Sequence, residues 1–164
     1  MIDEKAKYDG LVNQAIGYPS FELTRLDGSG RRSAGWYLNN GQLTNAYLFI
    51  SPFLVEGDRP WMITDGNLLA LQVLLVPKKS VERYVMDHGL SGSELFSRAE
   101  ALAARYRPNG RKKAYDVVKR DWLWLTYSDG LVEKPVNLVI PRTRLVALDG
   151  VADLYVTRES IKRV

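Results

Sequence analysis

The sequence predicts a mixed α/β fold, and three observations predict it. Runs rich in apolar, β-branched and aromatic residues at 19–26, 43–54 and 68–76 read as strands. Two amphipathic helical patterns follow one another between 77 and 106, and strand texture returns from 115 to 140.

Composition sets the outer bounds. With 164 residues, 46% hydrophobic and 26% charged, the chain is long enough to bury a core as one globular domain spanning 1–164. It has no cysteine and a single histidine, His88, which excludes disulfide frameworks, thiolate zinc sites and His-rich metal centres. Any metal is therefore expected on oxygen ligands, which favours Mg²⁺ or Mn²⁺. The first residues alternate acidic and basic groups instead of forming a leader, and no apolar run approaches the roughly 18 residues of a membrane span. The expectation is a cytoplasmic protein. A formal charge of +4 and a pI near 9.3 are compatible with a polyanionic partner.

Taken in order, Pro19 to Leu26 is a strand ended by Asp27-Gly28-Ser29-Gly30, a turn cluster that should reverse the chain into a returning strand at Gly35 to Leu38. Leu43 to Leu54 is apolar over most of its length, as expected of a strand covered on both faces at the centre of a sheet. Asp58 to Asn67 carries loop signals, and Leu68 to Val76 is a second continuous apolar run. Pro77 suits the first turn of a helix whose face is Val81, Tyr84 and Val85 and whose end is His88-Gly89. Ser91 and Glu94 form a capping-box pattern ahead of Leu95, Phe96, Ala99, Leu102, Ala103 and Tyr106, which fall at helical spacing up to Pro108-Asn109-Gly110. Beyond that turn, Tyr115 to Tyr127 reads as one long strand and Val136 to Ile140 as a short one introduced by Pro135. A short helix follows Pro141, with Leu145, Val146 and Leu148 as its apolar side. Ile161 to Val164 carries no signal.

The chemistry-bearing motif lies at the start, in Ile2-Asp3-Glu4-Lys5-Ala6. Side chains alternate along a strand, so Asp3 and Lys5 are expected on one face and Glu4 on the other. A carboxylate and a lysine so placed suit metal-assisted phosphodiester hydrolysis: the first binds the ion, the second orients or deprotonates the attacking water. Lys7 falls on the same strand face, where it can meet a phosphate or water. Glu22 alternates with Phe21 and Leu23, so it points away from them, toward a cleft or toward water.

Further segments follow this triplet in a recognisable succession: Tyr18-Pro19-Ser20-Phe21-Glu22-Leu23, Gly35-Trp36-Tyr37-Leu38, Leu43-Thr44-Asn45-Ala46-Tyr47-Leu48-Phe49-Ile50, and Glu133-Lys134-Pro135-Val136-Asn137-Leu138-Val139-Ile140. Together they resemble a group of bacterial PD-(D/E)XK nuclease-like proteins of unassigned function, over nearly the whole chain up to Leu148. The resemblance implies a restriction-endonuclease-like central mixed sheet flanked by helices, with a C-terminal β extension. It also implies Mg²⁺- or Mn²⁺-dependent cleavage of DNA, with Asp3 as metal ligand, Lys5 as the base that activates water or stabilises phosphate, and Glu22 as a further ligand.

The pattern departs from that group at two places. PD-(D/E)XK proteins carry another aspartate on a strand well before the acidic-x-Lys triplet, whereas only Met1 and Ile2 precede Asp3 in this sequence. Asn45 also stands where the group has aspartate. Three readings stay open: a start placed too late, a remnant that has lost catalysis, or a site completed by Glu22. The alternative to a nuclease is a non-catalytic nucleic-acid-binding or protein-interaction module on the same scaffold.

Two other features bear on partners. Arg105, Arg107, Arg111, Lys112, Lys113, Lys119 and Arg120 form the densest basic region; it can grip phosphates, or it can be the ordinary basic end of a helix and a wet turn. Trp122 and Trp124 are expected to alternate with Leu123 and Leu125, as a base-stacking platform or as core or homodimer anchors. Trp36 and Tyr37 read as packing residues, and His88 as a cap at a helix end.

Overall fold

The computed structural model describes residues 2–6, 17–39, 41, 44–55, 64, 66–106, 113–119 and 122–164, with the backbone alone at 2–6, 53, 54 and 119. The fold is mixed α+β, with ten strands and three helices among these residues. The strands form two five-stranded sheets. They belong to two compact units, each discontinuous in sequence: Met1–Gly17, Thr44–Arg83 and Arg142–Val164 in the first, Tyr18–Leu43 and Tyr84–Pro141 in the second.

In the first unit the strands are β1 (Ile2–Ala6), β4 (Ala46–Val55), β5 (Leu68–Pro77), β9 (Ala152–Thr157) and β10 (Ile161–Arg163), in that spatial order. β1 runs parallel to β4 and every other pairing is antiparallel. The apolar run around Phe49 thus takes the interior position its composition calls for, between β1 and β5. One face of the sheet is buried: Tyr47, Phe49 and Ser51 on β4 are registered against Val76, Leu74 and Gln72 on β5, and Leu74 in turn against Asp153 on β9. A four-residue helix, α3 (Arg142–Leu145), adds the fully buried Leu145 to the first unit. The C-terminal β segment is an integral part of this sheet, since β9 lies between β5 and β10. Its short, mixed composition gives little periodic signal, and its strand state comes from its partner β5.

In the second unit β2 (Ser20–Leu26), β3 (Arg32–Ala34), β6 (Lys113–Lys119), β7 (Leu123–Ser128) and β8 (Val136–Val139) form an antiparallel sheet of order β3-β2-β8-β7-β6. The β2–β3 reversal is made by Asp27, whose carboxylate accepts hydrogen bonds from the Ser29 hydroxyl and from the Ser29 and Arg31 amides and is thereby held below the usual carboxylate range. Gly30 takes the positive φ the turn requires. The returning strand is Arg32–Ala34, earlier than the sequence suggests. From Gly35 the chain turns: the Tyr37 amide donates to the Glu22 carbonyl and the Asn39 amide to that of Gly35. A Cβ at Gly35 would stand 2.6 Å from the Glu22 carbonyl oxygen, so glycine is needed for this approach. Trp36 and Tyr37 are buried with their rings 6.0 and 5.9 Å from that of Phe21, as packing residues.

Two helices follow β5: α1 (Lys78–Asp87) and α2 (Gly92–Arg105). α1 buries Val81, Tyr84 and Val85 and ends at Gly89, which has positive φ. The capping box forms as its pattern predicts: the Ser91 side chain accepts from the Glu94 amide while the Glu94 carboxylate accepts from the Ser91 amide. α2 contacts β2, β6, β7 and β8, and its Leu95, Ala99 and Leu102 are buried. The sheet face it covers holds Phe21, Leu123, Leu125, Tyr127, Val136 and Leu138.

The segment read as one strand from Tyr115 to Tyr127 is two, β6 and β7, paired antiparallel. The polar interval Lys119-Arg120-Asp121 separates two runs that each alternate on their own, and the sheet pairs them face to face. Of the expected loop at 58–67, residues 58–63 and 65 lie outside the described residues, as does the turn at 108–110.

Candidate functional site

The Asp3-x-Lys5 spacing falls within a strand. β1 pairs in parallel with β4, so that Asp3 is registered against Tyr47 and Lys5 against Phe49. Both partners are buried. The side chains of Asp3 and Lys5, and Lys7 as a whole, lie outside the described residues.

Sequence reasoning missed a carboxylate on the buried face of this sheet. Asp153 of β9 is the only Asp or Glu buried among the described residues. Its Oδ1 accepts from Gln72 Nε2 at 2.8 Å and its Oδ2 is ion-paired with the Arg142 guanidinium. A buried carboxylate survives only with such partners, since its desolvation is otherwise uncompensated. The register places Lys5, Phe49, Leu74 and Asp153 in one row across four adjacent strands. Three interstrand steps of about 4.8 Å separate position 5 from Asp153 by about 14 Å. That is too far for a single Mg²⁺ with ligand distances of about 2 Å to be shared between β1 and Asp153. Asp153 therefore ties α3 to β9 and β5 and does not complete a metal site at β1. Among the described residues no group of three or more His, Asp or Glu is placed to hold a metal ion.

Glu22, the other expected ligand, sits on β2 in the second sheet. Its carboxylate is largely shielded, 3.8 Å from Arg25 Nε, and its backbone packs against Gly35. Register puts it in a row with Asn137 of β8, Thr126 of β7 and Tyr115 of β6. This row belongs to the face of the second sheet opposite to α2. The paired row is Ser20, Val139, Trp124 and Val117.

The basic cluster is described in part. Arg107, Arg111 and Lys112 lie outside the described residues. Arg105, the last residue of α2, reaches Asp116 of β6 at 3.8 Å, and Arg98 reaches the other oxygen of the same carboxylate at 3.8 Å. Asp116 is registered against Leu125, on the face that α2 covers. Arg105 is thus engaged in holding helix to sheet, with its guanidinium still mostly in solvent. Lys113 opens β6 on the opposite face and is exposed.

The aromatic residues divide as the strand period requires. Leu123, Leu125 and Tyr127 are buried, while Trp124 faces the other way, with Tyr18 edge-on to it at 5.4 Å. Trp122 precedes the strand and its ring packs against His88 at 4.8 Å; the His88 ring also lies 4.4 Å from Tyr84, and its Nδ1 is 2.7 Å from the Tyr84 carbonyl oxygen. His88 is a packed residue at the end of α1, as expected of a cap. At the end of the sheet, Tyr127 donates to Asp129, which also pairs with Lys134 at 3.1 Å. Burial and this bond push the Tyr127 hydroxyl above its ordinary value, and Asp129 does the same to Lys134. The signal for the exposed aromatic face was present in the sequence, in the period-two alternation of Lys113, Tyr115 and Val117.

No helix among the described residues is long and apolar enough to cross a membrane. Comparison of the chain with protein-family models, with curated proteins and with solved structures finds no match.

Proposed function

We propose that this chain is a nucleic-acid phosphodiesterase of the PD-(D/E)XK type, an Mg²⁺- or Mn²⁺-dependent DNA endonuclease on a restriction-endonuclease-like scaffold. The observation that carries the reading is that Asp3 and Lys5 stand two residues apart in a strand, β1, paired to the interior strand β4. This is the backbone setting in which an acidic-x-Lys pair works, because strand alternation keeps both groups on one side of a phosphate. The parallel β1–β4 pair within an otherwise antiparallel sheet also supports a mixed-sheet scaffold.

In this reading Asp3 supplies an oxygen ligand, and further ligands come from water and phosphate. A bound divalent ion would stabilise the negative charge that develops on the phosphate. Lys5 orients the attacking water and lowers the cost of deprotonating it; water oxygen bonds to phosphorus, the phosphorus–oxygen ester bond breaks, and the departing oxygen takes up a proton. Lys7 and the basic residues Arg105, Arg107, Arg111, Lys112 and Lys113 contribute phosphate contacts.

Incubation of the chain with plasmid and single-stranded DNA in Mg²⁺ or Mn²⁺ tests this. Cleavage is expected, with Asp3→Ala and Lys5→Ala each slowing it at least about a hundredfold. Cleavage that persists in both variants removes the assigned residues, and absence of cleavage with either metal favours the second reading, a non-catalytic nucleic-acid-binding module. The observation favouring that reading is the exposed aromatic face of the second sheet.

A further inference from the structure

The second sheet has α2 on one face and exposed aromatic groups on the other. Along β6, Lys113, Tyr115 and Val117 alternate on that face, registered against Ser128, Thr126 and Trp124 of β7. Tyr115 is 61% exposed and Val117 63%, and Tyr18, 59% exposed, stands edge-on to Trp124 with ring planes at 64°. Val139, registered against Trp124, is buried on this face, but core packing does not account for Tyr18, Tyr115 and Val117: most of the core of this unit is the opposite face, filled by Leu123, Leu125 and Leu138.

We propose that this face binds single-stranded nucleic acid, with bases stacking on Tyr115 and on the Tyr18–Trp124 pair and phosphates meeting Lys113. Tyr115 and Trp124 are diagonal neighbours on adjacent strands, about 7–8 Å apart, which lets two successive bases lie on the two aromatic groups. Stacking on a side chain needs a base whose π-face is open, so the ligand is single-stranded. Thr126 and Asn137, in the Tyr115 row, supply hydroxyl and amide groups for base edges or sugar.

Charge selects a polyanion as the occupant. Among the described strand residues Glu22 is the carboxylate on this face, and Arg25 stands 3.8 Å from it. Lys113 is exposed, and in sequence β6 is preceded by Arg111-Lys112 and ends in Lys119 followed by Arg120. β6 is also an edge strand. A phosphate backbone meets the same charges favourably. The inference does not rest on the nuclease reading, because binding here needs neither a metal nor cleavage.

The test is fluorescence anisotropy of a labelled oligothymidylate of about fifteen nucleotides, titrated with the full chain at low salt in EDTA. Binding is expected, with Tyr115→Ala weakening it about tenfold or more and Tyr115→Phe retaining it. Lys113→Ala should lower the salt slope by about 0.7, and Met86→Ala, exposed on α1, should bind as the unaltered chain does. Circular dichroism checks that each variant is folded. No binding at low salt, equal competition by a duplex of the same length, or full affinity in Tyr115→Ala overturns the proposal. So does sedimentation showing a dimer that Tyr115→Ala dissolves, which would assign the face to a second copy.

Discussion

The two sheets use polar and aromatic residues in opposite ways. In the first, the buried face carries Tyr47 and Phe49 together with a buried carboxylate, Asp153, held by Gln72 and Arg142. In the second, the buried face is almost wholly apolar apart from its rim, and Tyr18, Tyr115 and Trp124 occupy the other side. Burial makes the first arrangement matter for stability, since removing one partner leaves an uncompensated charge. Exposure makes the second matter little for stability, which is why its aromatic content points to a ligand.

The largest effect should follow from breaking the polar group of the first sheet. Arg142→Ala leaves the Asp153 carboxylate, only 3% exposed, without its cation. Urea denaturation should show a loss of about 3 kcal/mol. A loss below about 0.5 kcal/mol, the range of ordinary surface changes, would mean that the carboxylate is solvated and that the contrast between the sheets is misplaced.

A smaller effect sharpens the other side of the comparison. Ser91→Ala removes the N-cap of α2, the helix that covers the second sheet, and should cost about 1 kcal/mol. The loss should depend on pH. Hydrogen bonds from the Ser91 amide and hydroxyl lower the Glu94 carboxyl below its ordinary 4.5. A group depressed in the folded state adds stability above its unfolded value and loses it as pH falls through the folded one. The gap between Ser91→Ala and the unaltered chain should therefore be full above about pH 4.5 and narrow below it. A gap that stays constant from pH 7 down to acid unfolding would exclude the hydrogen bond from the Ser91 hydroxyl to the Glu94 carboxylate.

Much of the fold was legible from local signals. The capping box, the helix face of Val81, Tyr84 and Val85, the Asp27 turn and the apolar β4 and β5 all rest on interactions within a few residues or on simple periodicity. What was not legible depends on distant partners. β9 is a strand because β5 offers it an edge, the chain turns at Gly35 because it packs on Glu22, and the β6–β7 reversal is hidden by two runs of similar texture. The candidate site follows the same rule. That positions 3 and 5 fall two apart in one strand could be read from spacing, whereas the place of Glu22 in the second sheet and the burial of Asp153 depend on strand order. No local pattern reports strand order.

The contrast between a face that stabilises and a face that binds is tested most directly by measuring two properties of Tyr115→Ala side by side. Its unfolding free energy should lie within about 0.5 kcal/mol of the unaltered chain, while its affinity for oligothymidylate in EDTA falls about tenfold or more. An equal loss of stability and affinity, or affinity untouched, would contradict it.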